Sequence, residues 1–371
     1  MRRLTKEEYY NKVYGSWLGR ISGDFVGAPL EFKPYTLIKL FYGELEYYPK
    51  PIDVDYVNDD EMYEICSLVA LEAASEKKGI NLTSKDIAQE WVNLLYKKNF
   101  TAEKVALKNL RAGIPPPASG KYRNIYYDAI GAQMRADIWG QISPGLPQIA
   151  SKYAELDGCI SHAGIGIEGE QFIAIMIAQA FFQADIRKNI DTALKYLPSA
   201  RESLYSRMVK LAIHLWKRYP KDFRTARQKL IQHWHDMRRN IIIANESKFS
   251  ERSIKFLNRF VSGVHVLPNA GIITLALLYA ANNEDPLGRS IGLAASMGLD
   301  TDCNCGNIGA IIGAQIGANK IPSKWKVPLQ NTFSTYVKGY EKWAIDKLAK
   351  RICNIGLKVV EKKGFNTVNI T

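Results

Sequence analysis

Three glycines spaced four apart in an apolar stretch, Gly309, Gly313 and Gly317, interleaved with Ala310, Ala314 and Ala318, narrow what this chain can fold into more than any other feature. Glycine destabilises a soluble helix by roughly 1 kcal/mol per position relative to alanine, so a run of them makes sense where another backbone must approach closely. The segment also carries Asn304, Asn307 and Gln315, which makes it too short and too polar for a membrane dimerisation helix. The longest apolar run, Gly271 to Ala281, is likewise far short of the ~20 residues that cross a bilayer. A Gly/Ala-rich helix at the centre of a helical bundle is expected, with the residues at its start held rigidly.

The rest of the chain fits that bundle. Tyr9, Val13, Trp17, Ile21 and Phe25 recur every fourth residue, one face of a helix. Similar periodicity predicts helices over 61–78, 84–98, 102–112, 168–184, 269–281, 286–297 and 304–318, and two more in the basic region after residue 201. Breakers separate them: AGIPPPASG at 112–120, QISPGLP at 141–147, and Pro34, Pro49 and Pro51. No 20–50-residue period recurs, so a solenoid is not expected. Strand-like alternation is confined to the end, GLKVVEKKGFNTVNI, which reads as a small hairpin. The expectation is an all-α domain over residues 1–352 and a short extension over 353–371. With 371 residues, 47% hydrophobic and 23% charged, disordered and fibrous architectures are excluded. The N-terminus turns polar where a secretory signal would turn apolar, and five scattered cysteines give no disulfide framework. A cytoplasmic, reducing setting is expected.

The net charge of +13 is concentrated. Residues 201–260 hold 15 Lys/Arg against 5 Asp/Glu. A polyanion-binding face is one reading; a solvated face of two surface helices with a stripe at Leu204, Met208, Leu211 and Leu215 is the favoured one. No base-reading motif accompanies the charge, so nucleic acid is not expected as a partner, nor is a membrane.

Two acidic clusters stand apart from surface charge. Asn58-Asp59-Asp60 and Asp300-Thr301-Asp302 each precede a predicted helix. A single Asp there is usually an N-cap, which accounts for one acid per helix. It does not account for four carboxylates flanked by ICSLVALEAA and IGLAASMGL, because like charges in apolar surroundings raise each other's pKa unless a cation lies between them. Hard oxygen donors without a Cys/His cluster point to Mg²⁺, Mn²⁺ or Ca²⁺. Glu31 on local sequence alone reads as a solvated loop residue. His162, at a helix entrance, reads as structural.

Several segments, in order, resemble the ADP-ribosylglycohydrolase family, the dinitrogenase-reductase-activating and ADP-ribosyl-acceptor hydrolases. They are Gly15 to Gly19 through Gly23-Asp24, Gly27 and Glu31; Asn58-Asp59-Asp60; Gly131-Ala132-Gln133-Met134-Arg135; Ser161-His162 with Gly169; Gly298-Leu299-Asp300-Thr301-Asp302 with its small-residue helix; and Ile321-Pro322-Ser323-Lys324-Trp325. The resemblance implies an all-α fold and a two-metal centre, usually Mg²⁺ with Mn²⁺ an alternative. Its ligands would be Asp59, Asp60, Asp300 and Asp302, with Asn58 in place of a threonine and Cys303 in place of a threonine or serine. It implies hydrolysis of an N- or O-glycosidic bond to ribose in an ADP-ribosylated small molecule or protein side chain. Asp59, Asp60 and Asp302 would act at the reacting centre, with Glu31 as a gating or acid/base residue. Substrate contacts would come from Gly131, Gln133, Met134, Ser161 and His162.

The chain departs from that pattern. A thiol at Cys303 is a poor Mg²⁺ ligand. The approach to Met134-Arg135, glycine- and serine-rich in many members, is here Tyr126-Tyr127-Asp128-Ala129-Ile130, bulky where a backbone would approach a diphosphate. Two alternatives therefore stand beside the main reading: a glycohydrolase of a smaller nucleoside or ribosyl compound, and a non-catalytic ligand-binding member of the same fold.

Overall fold

Two glycine-bearing helices lie backbone to backbone at the centre of the molecule. The computed structural model of the protein describes residues 1–198, 202–243, 263–281, 283–364 and 367–371. The helices that build the site and its support are α1 (Lys6–Gly27), α2 (Asp60–Lys78), α3 (Thr101–Arg111), α4 (Pro147–Gly158), α5 (Ile165–Ala180), α6 (Val266–Ala280), α7 (Pro286–Met297), α8 (Thr301–Ile316) and α9 (Ile345–Lys363). The remaining described elements are further helices, short 3₁₀ turns and two two-stranded pairings, so the fold is all-α.

The start of α1 is set locally. Thr5 Oγ1 accepts from the Glu8 N–H while the Glu8 carboxylate accepts from the Thr5 N–H, a reciprocal cap that satisfies two otherwise orphaned donors. Along its inner face, a Cβ on Gly19 would strike the Gly309 carbonyl, and one on Gly313 would strike the Gly15 carbonyl. Lower down, Gly23 abuts Cys305 and Gly306, and Gly27 abuts Thr301 and Asp302. The expected central helix is thus α8, and its glycines serve contact with α1. Gly317 lies just past the helix end at φ 77°. Hydroxyls lock the same seam: Ser16 Oγ donates to the Ala310 carbonyl at 3.0 Å, and Thr301 Oγ1 to the Gly27 carbonyl at 2.7 Å.

The predicted helices appear, most with ends displaced by a few residues. The terminal hairpin does not. Residues 353–363 continue α9, whose buried stripe of Ile345, Leu348, Ala349, Ile352, Ile355, Val359 and Val360 follows a helical period through the expected boundary at 352. Val368–Ile370 (β4) then pairs in parallel with Arg2–Leu4 (β1). The antiparallel pair lies earlier, Thr332–Ser334 (β2) with Lys342–Ala344 (β3). In the basic region, helices Leu204–Arg218 and Phe223–Ile243 form; the first buries Tyr205, Met208, Val209 and Ala212, with Leu204 exposed and Arg207, Lys210, Lys217 and Arg218 facing water. Residues 244–260 of that region lie outside the described residues. Among the described residues no helix is long and apolar enough to cross a membrane.

Gly19→Ala or Gly309→Ala should lower stability by about 3 kcal/mol, the upper end of the usual overpacking range, because the new methyl meets backbone that cannot step aside. Gly43→Ala, at φ 64° with open space around it, should lose only about 1 kcal/mol to the left-handed conformation. Urea unfolding of the three variants measures the difference, and equal losses would contradict seam packing as the cause.

Candidate functional site

The glycine seam ends where the acids begin. Past α7, Gly298 (φ 77°) and Leu299 (φ 75°) turn the chain through left-handed conformations, a strained arrangement for leucine that the surroundings must hold. They do so on both sides: the Leu299 carbonyl accepts from the Phe32 N–H at 3.0 Å, and the Asp300 N–H donates to Asn269 Oδ1. Asn269 also receives Asn304 Nδ2 at 2.7 Å and donates to the Gly263 and His265 carbonyls. Asp300 and Asp302 are thereby fixed at the mouth of α8, beside the loop carrying Glu31. Asp59 and Asp60 reach the same place from the start of α2. Neither Asp59 nor Asp300 makes a side-chain cap bond to its helix, so capping does not explain either.

The two clusters are in contact. Asn58 Nδ2 donates to Asp302 Oδ2 at 3.3 Å, and the Cys303 thiol donates to Asp60 Oδ1 at 3.5 Å. Carboxylate oxygens of Asp300 and Asp302 and Cys303 Sγ lie within 4.8 Å of one another. Burial first, and then neighbouring carboxylates, push the pKa values of Asp59, Asp60 and Asp300 well up; burial also raises Asp302. Glu31 is pushed up to about 8 by burial, Asp302 and Asp59. Burial, with the Asp300, Asp60 and Asp302 carboxylates, raises the Cys303 thiol in the same way.

Beneath the cluster lies Arg20, fully buried. Its Nε is 2.9 Å from Asp137, and its two terminal nitrogens reach Asp24, Asp60 and Glu64 at 3.5–3.6 Å. Burial works against its charge, yet these four carboxylates together hold it protonated. One guanidinium among that many acids leaves the upper cluster short of positive charge. Asp300 Oδ1 and Asp302 Oδ1 are buried and receive no hydrogen bond; a proton shared between the two carboxyls, or a cation, is what their positions call for. The donors are mostly hard oxygens, which fits a divalent cation of the Mg²⁺ or Mn²⁺ type.

The acids floor a cleft of about 390 Å³. Among the described residues, six carboxylates line it (Glu31, Asp59, Asp60, Glu103, Asp300 and Asp302) against a single cation, Lys98. Asn58, Cys303, Gly131 and Met134 also face it. Gln133, Ser161 and His162 do not, and here the sequence expectation of direct substrate contact needs correction. All three are fully buried behind the cleft. Gln133 Oε1 accepts from the Tyr205 hydroxyl at 2.8 Å. Ser161 Oγ accepts from Arg135 Nη2 at 2.9 Å and lies 2.7 Å from His162 Nδ1, and burial followed by Arg135 pushes the His162 pKa well down, so the ring is neutral. Arg135 in turn donates to Glu103 at 2.8 Å and to the Gly131 carbonyl at 3.0 Å, and stacks over Trp91.

Sequence reasoning missed the rim. Phe32, Tyr56, Phe100 and Tyr336 surround the opening, with Lys98 Nζ 4.9 Å from the Tyr336 ring centre. Tyr56 and Phe100 are each about half exposed, at 52% and 51%. Loop aromatics with no periodicity give no pattern to detect; only the positive φ of Phe32, Lys98 and Thr101 marks these loops as unusual, and that is invisible without coordinates.

Residues 5–358 match the ADP-ribosylglycohydrolase family. The chain belongs to that family. Hydrolysis is the general activity of its members, and divalent-metal dependence is typical of them. A solved structure titled "ADP-ribosylglycohydrolase-related protein complex" superposes with a TM-score of 0.55 over 94% of this chain and 99% of that one, at 13% identity, a likeness of fold. No protein with a curated description matches the sequence.

Two outcomes are expected. Mg²⁺ or Mn²⁺ should raise the melting temperature of chelator-treated protein, by the equivalent of about 2.7 kcal/mol at a hundredfold excess over Kd, and Asp302→Ala should abolish the shift; an unchanged shift in that variant would remove the cluster as the cation site. Ser161→Ala should lower stability by about 1–3 kcal/mol by stranding a buried Arg135 donor, with no change in cation affinity, as read by urea unfolding and metal titration.

Proposed function

We propose that this chain is a metal-dependent hydrolase that cleaves an N- or O-glycosidic bond to ribose. The observation that carries the reading is the meeting of Asn58-Asp59-Asp60 and Asp300-Asp302 at one acidic cleft, with oxygens of Asp300 and Asp302 left unsatisfied. Asp59, Asp60, Asp300 and Asp302 would hold Mg²⁺ or Mn²⁺, with Asn58 beside them. When bound, the cations would neutralise the carboxylates and lower the pKa of a coordinated water. Cys303 serves better as a thiol donating to Asp60 than as a ligand, since its neighbours disfavour the thiolate.

The residues of the chain supply the rest. Cleavage passes through an oxocarbenium-like state, and a cleft with six carboxylates favours positive charge developing on the sugar ring. Glu31, on the edge of the acid cluster and raised above the usual carboxylate range by burial first, is placed to deliver a proton to the leaving group. Phe32, Tyr56, Phe100 and Tyr336 offer apolar faces for a flat leaving group or base.

An ADP-ribosylated substrate follows from the family. A smaller nucleoside or ribosyl compound is the second reading, and a specific feature favours it. The Ala129 N–H is bonded to the Tyr126 carbonyl at 2.9 Å and the Ile130 N–H to the Val264 carbonyl at 2.8 Å. Two amides that could cradle a diphosphate are thus already used, and among the described residues Lys98 is the one cationic side chain lining the cleft.

With Mg²⁺ or Mn²⁺ present, the protein should release ribose or ADP-ribose from one member of a riboside panel spanning ADP-ribosyl-arginine and simple nucleosides. Asp302→Ala should lower kcat by about 100-fold or more. Activity that survives both chelation and Asp302→Ala would overturn the proposal. Higher kcat/KM on the nucleoside selects the second reading.

A further inference from the structure

Of the six carboxylates that line the cleft, five come from the two acid motifs and the loop at Glu31. The sixth, Glu103, belongs to the first turn of α3 and is held differently. Its Oε1 accepts from Arg135 Nη1 at 2.8 Å, a bond between two buried side chains. On another side the carboxylate lies against Gly131, where a Cβ would strike it. A buried guanidinium and a glycine thus fix one orientation, and the guanidinium meets the charge without a metal.

The second oxygen remains available. Oε2 accepts no hydrogen bond among the described residues, and it is not one of the buried, unpartnered atoms of the protein. It keeps surface toward the cleft that Glu103 lines. The same short stretch of chain supplies an apolar face: Phe100, three residues earlier, is half exposed at the cleft mouth, with Lys98 and Thr101 beside it. Lys98 (φ 46°) and Thr101 (φ 35°) hold left-handed conformations, which a β-branched residue keeps only where its surroundings enforce it. An aromatic face and a fixed, charged acceptor on one wall suit a flat group that both stacks and donates.

We propose that Glu103 recognises the leaving group of the riboside, and that this group is a nucleobase bearing an exocyclic amine. The inference rests on the ribosyl-hydrolase reading in its nucleoside form and adds the identity of the departing group. The ring lies on the aromatic rim while its amino N–H donates to Oε2. A guanidinium also donates in a plane, but Lys98 at the same opening disfavours a second cation. Glutamine at 103 would do more than weaken this contact. Arg135 would retain the amide oxygen, so Nε2 would turn toward the cleft and set a donor against the donors of the amine. A merely structural role would instead weaken aminated and unaminated rings alike.

The probes are adenine and 2-aminopurine, each compared with purine, which lacks the amine. They are titrated calorimetrically into the full-length protein in the presence of Mg²⁺. Wild type should bind one aminated base at least about tenfold more tightly than purine, and Glu103→Gln should abolish or reverse that preference. Equal affinities in wild type, no binding of any of the three, or a preference that survives in Glu103→Gln would overturn the assignment. Agmatine bound more tightly than either aminated base would overturn the nucleobase as the group recognised. The wild-type comparison decides the matter even if the variant folds poorly. No bond is cleaved in these titrations, so they fail separately from the hydrolase reading, which the riboside panel and Asp302→Ala test.

Discussion

The approach of α1 to α8 is the constraint on which the site depends. Side chains normally hold packed helices 8–10 Å apart; here Gly15, Gly19, Gly23 and Gly27 on one helix and Gly306, Gly309 and Gly313 on the other remove them. The seam does more than fill space. Its last contact, Gly27 against Thr301 and Asp302, places the loop that leaves α1 directly beside the mouth of α8. Glu31 and Asp302 are neighbours because two backbones touch one turn earlier. A side chain at Gly27 would meet the Thr301 and Asp302 backbone and push the two apart.

Close approach creates an electrostatic problem that the fold resolves from below. Buried carboxylates repel and would rather be neutral. Arg20 projects from the same helix, α1, into the space under Asp60, and reaches Asp24, Glu64 and Asp137 as well. It secures the lower tier only. Among the described residues no cationic side chain is paired with Asp59, Asp300 or Asp302; Asp302 receives the Asn58 amide, and the Cys303 thiol lies beside Asp300 and Asp302. An arrangement that neutralises one tier and leaves the other bare is what a cation-binding cluster requires, because a second guanidinium above would occupy the cation's place.

Much of this was legible in the sequence, and for identifiable reasons. The glycine spacing and the four-residue periodicity report on contacts that repeat regularly, so the central helix and its neighbours could be read directly. The acid pairs were legible because four carboxylates in apolar sequence exceed what capping needs. The C-terminal stretch misled because Leu357, Val359 and Val360 satisfy a two-residue and a 3.6-residue period about equally; packing of α9 against α1 decided it. Ser161 and His162 misled differently. Their place in the motif is informative, yet whether a motif residue touches a ligand or supports one that does is settled only by which way the chain faces. The aromatic rim left no trace, being assembled from loops far apart in sequence.

That distinction between touching and supporting bears on what the cleft can recognise. Ser161, His162, Glu103 and Asp157 surround Arg135, and Arg135 holds the Gly131 carbonyl. The buried network therefore fixes the backbone that forms the wall of the cleft, with a charge fully enclosed where no substrate phosphate can use it. On that same wall the Ala129 and Ile130 amides face carbonyl partners. A wall whose Ala129 and Ile130 amides are bonded and whose guanidinium is buried discriminates chiefly by shape. On the second reading proposed above, such a wall would suit a ribosyl compound whose recognition asks nothing of those two amides, and the residues that carry the family motif serve there as the support of the wall.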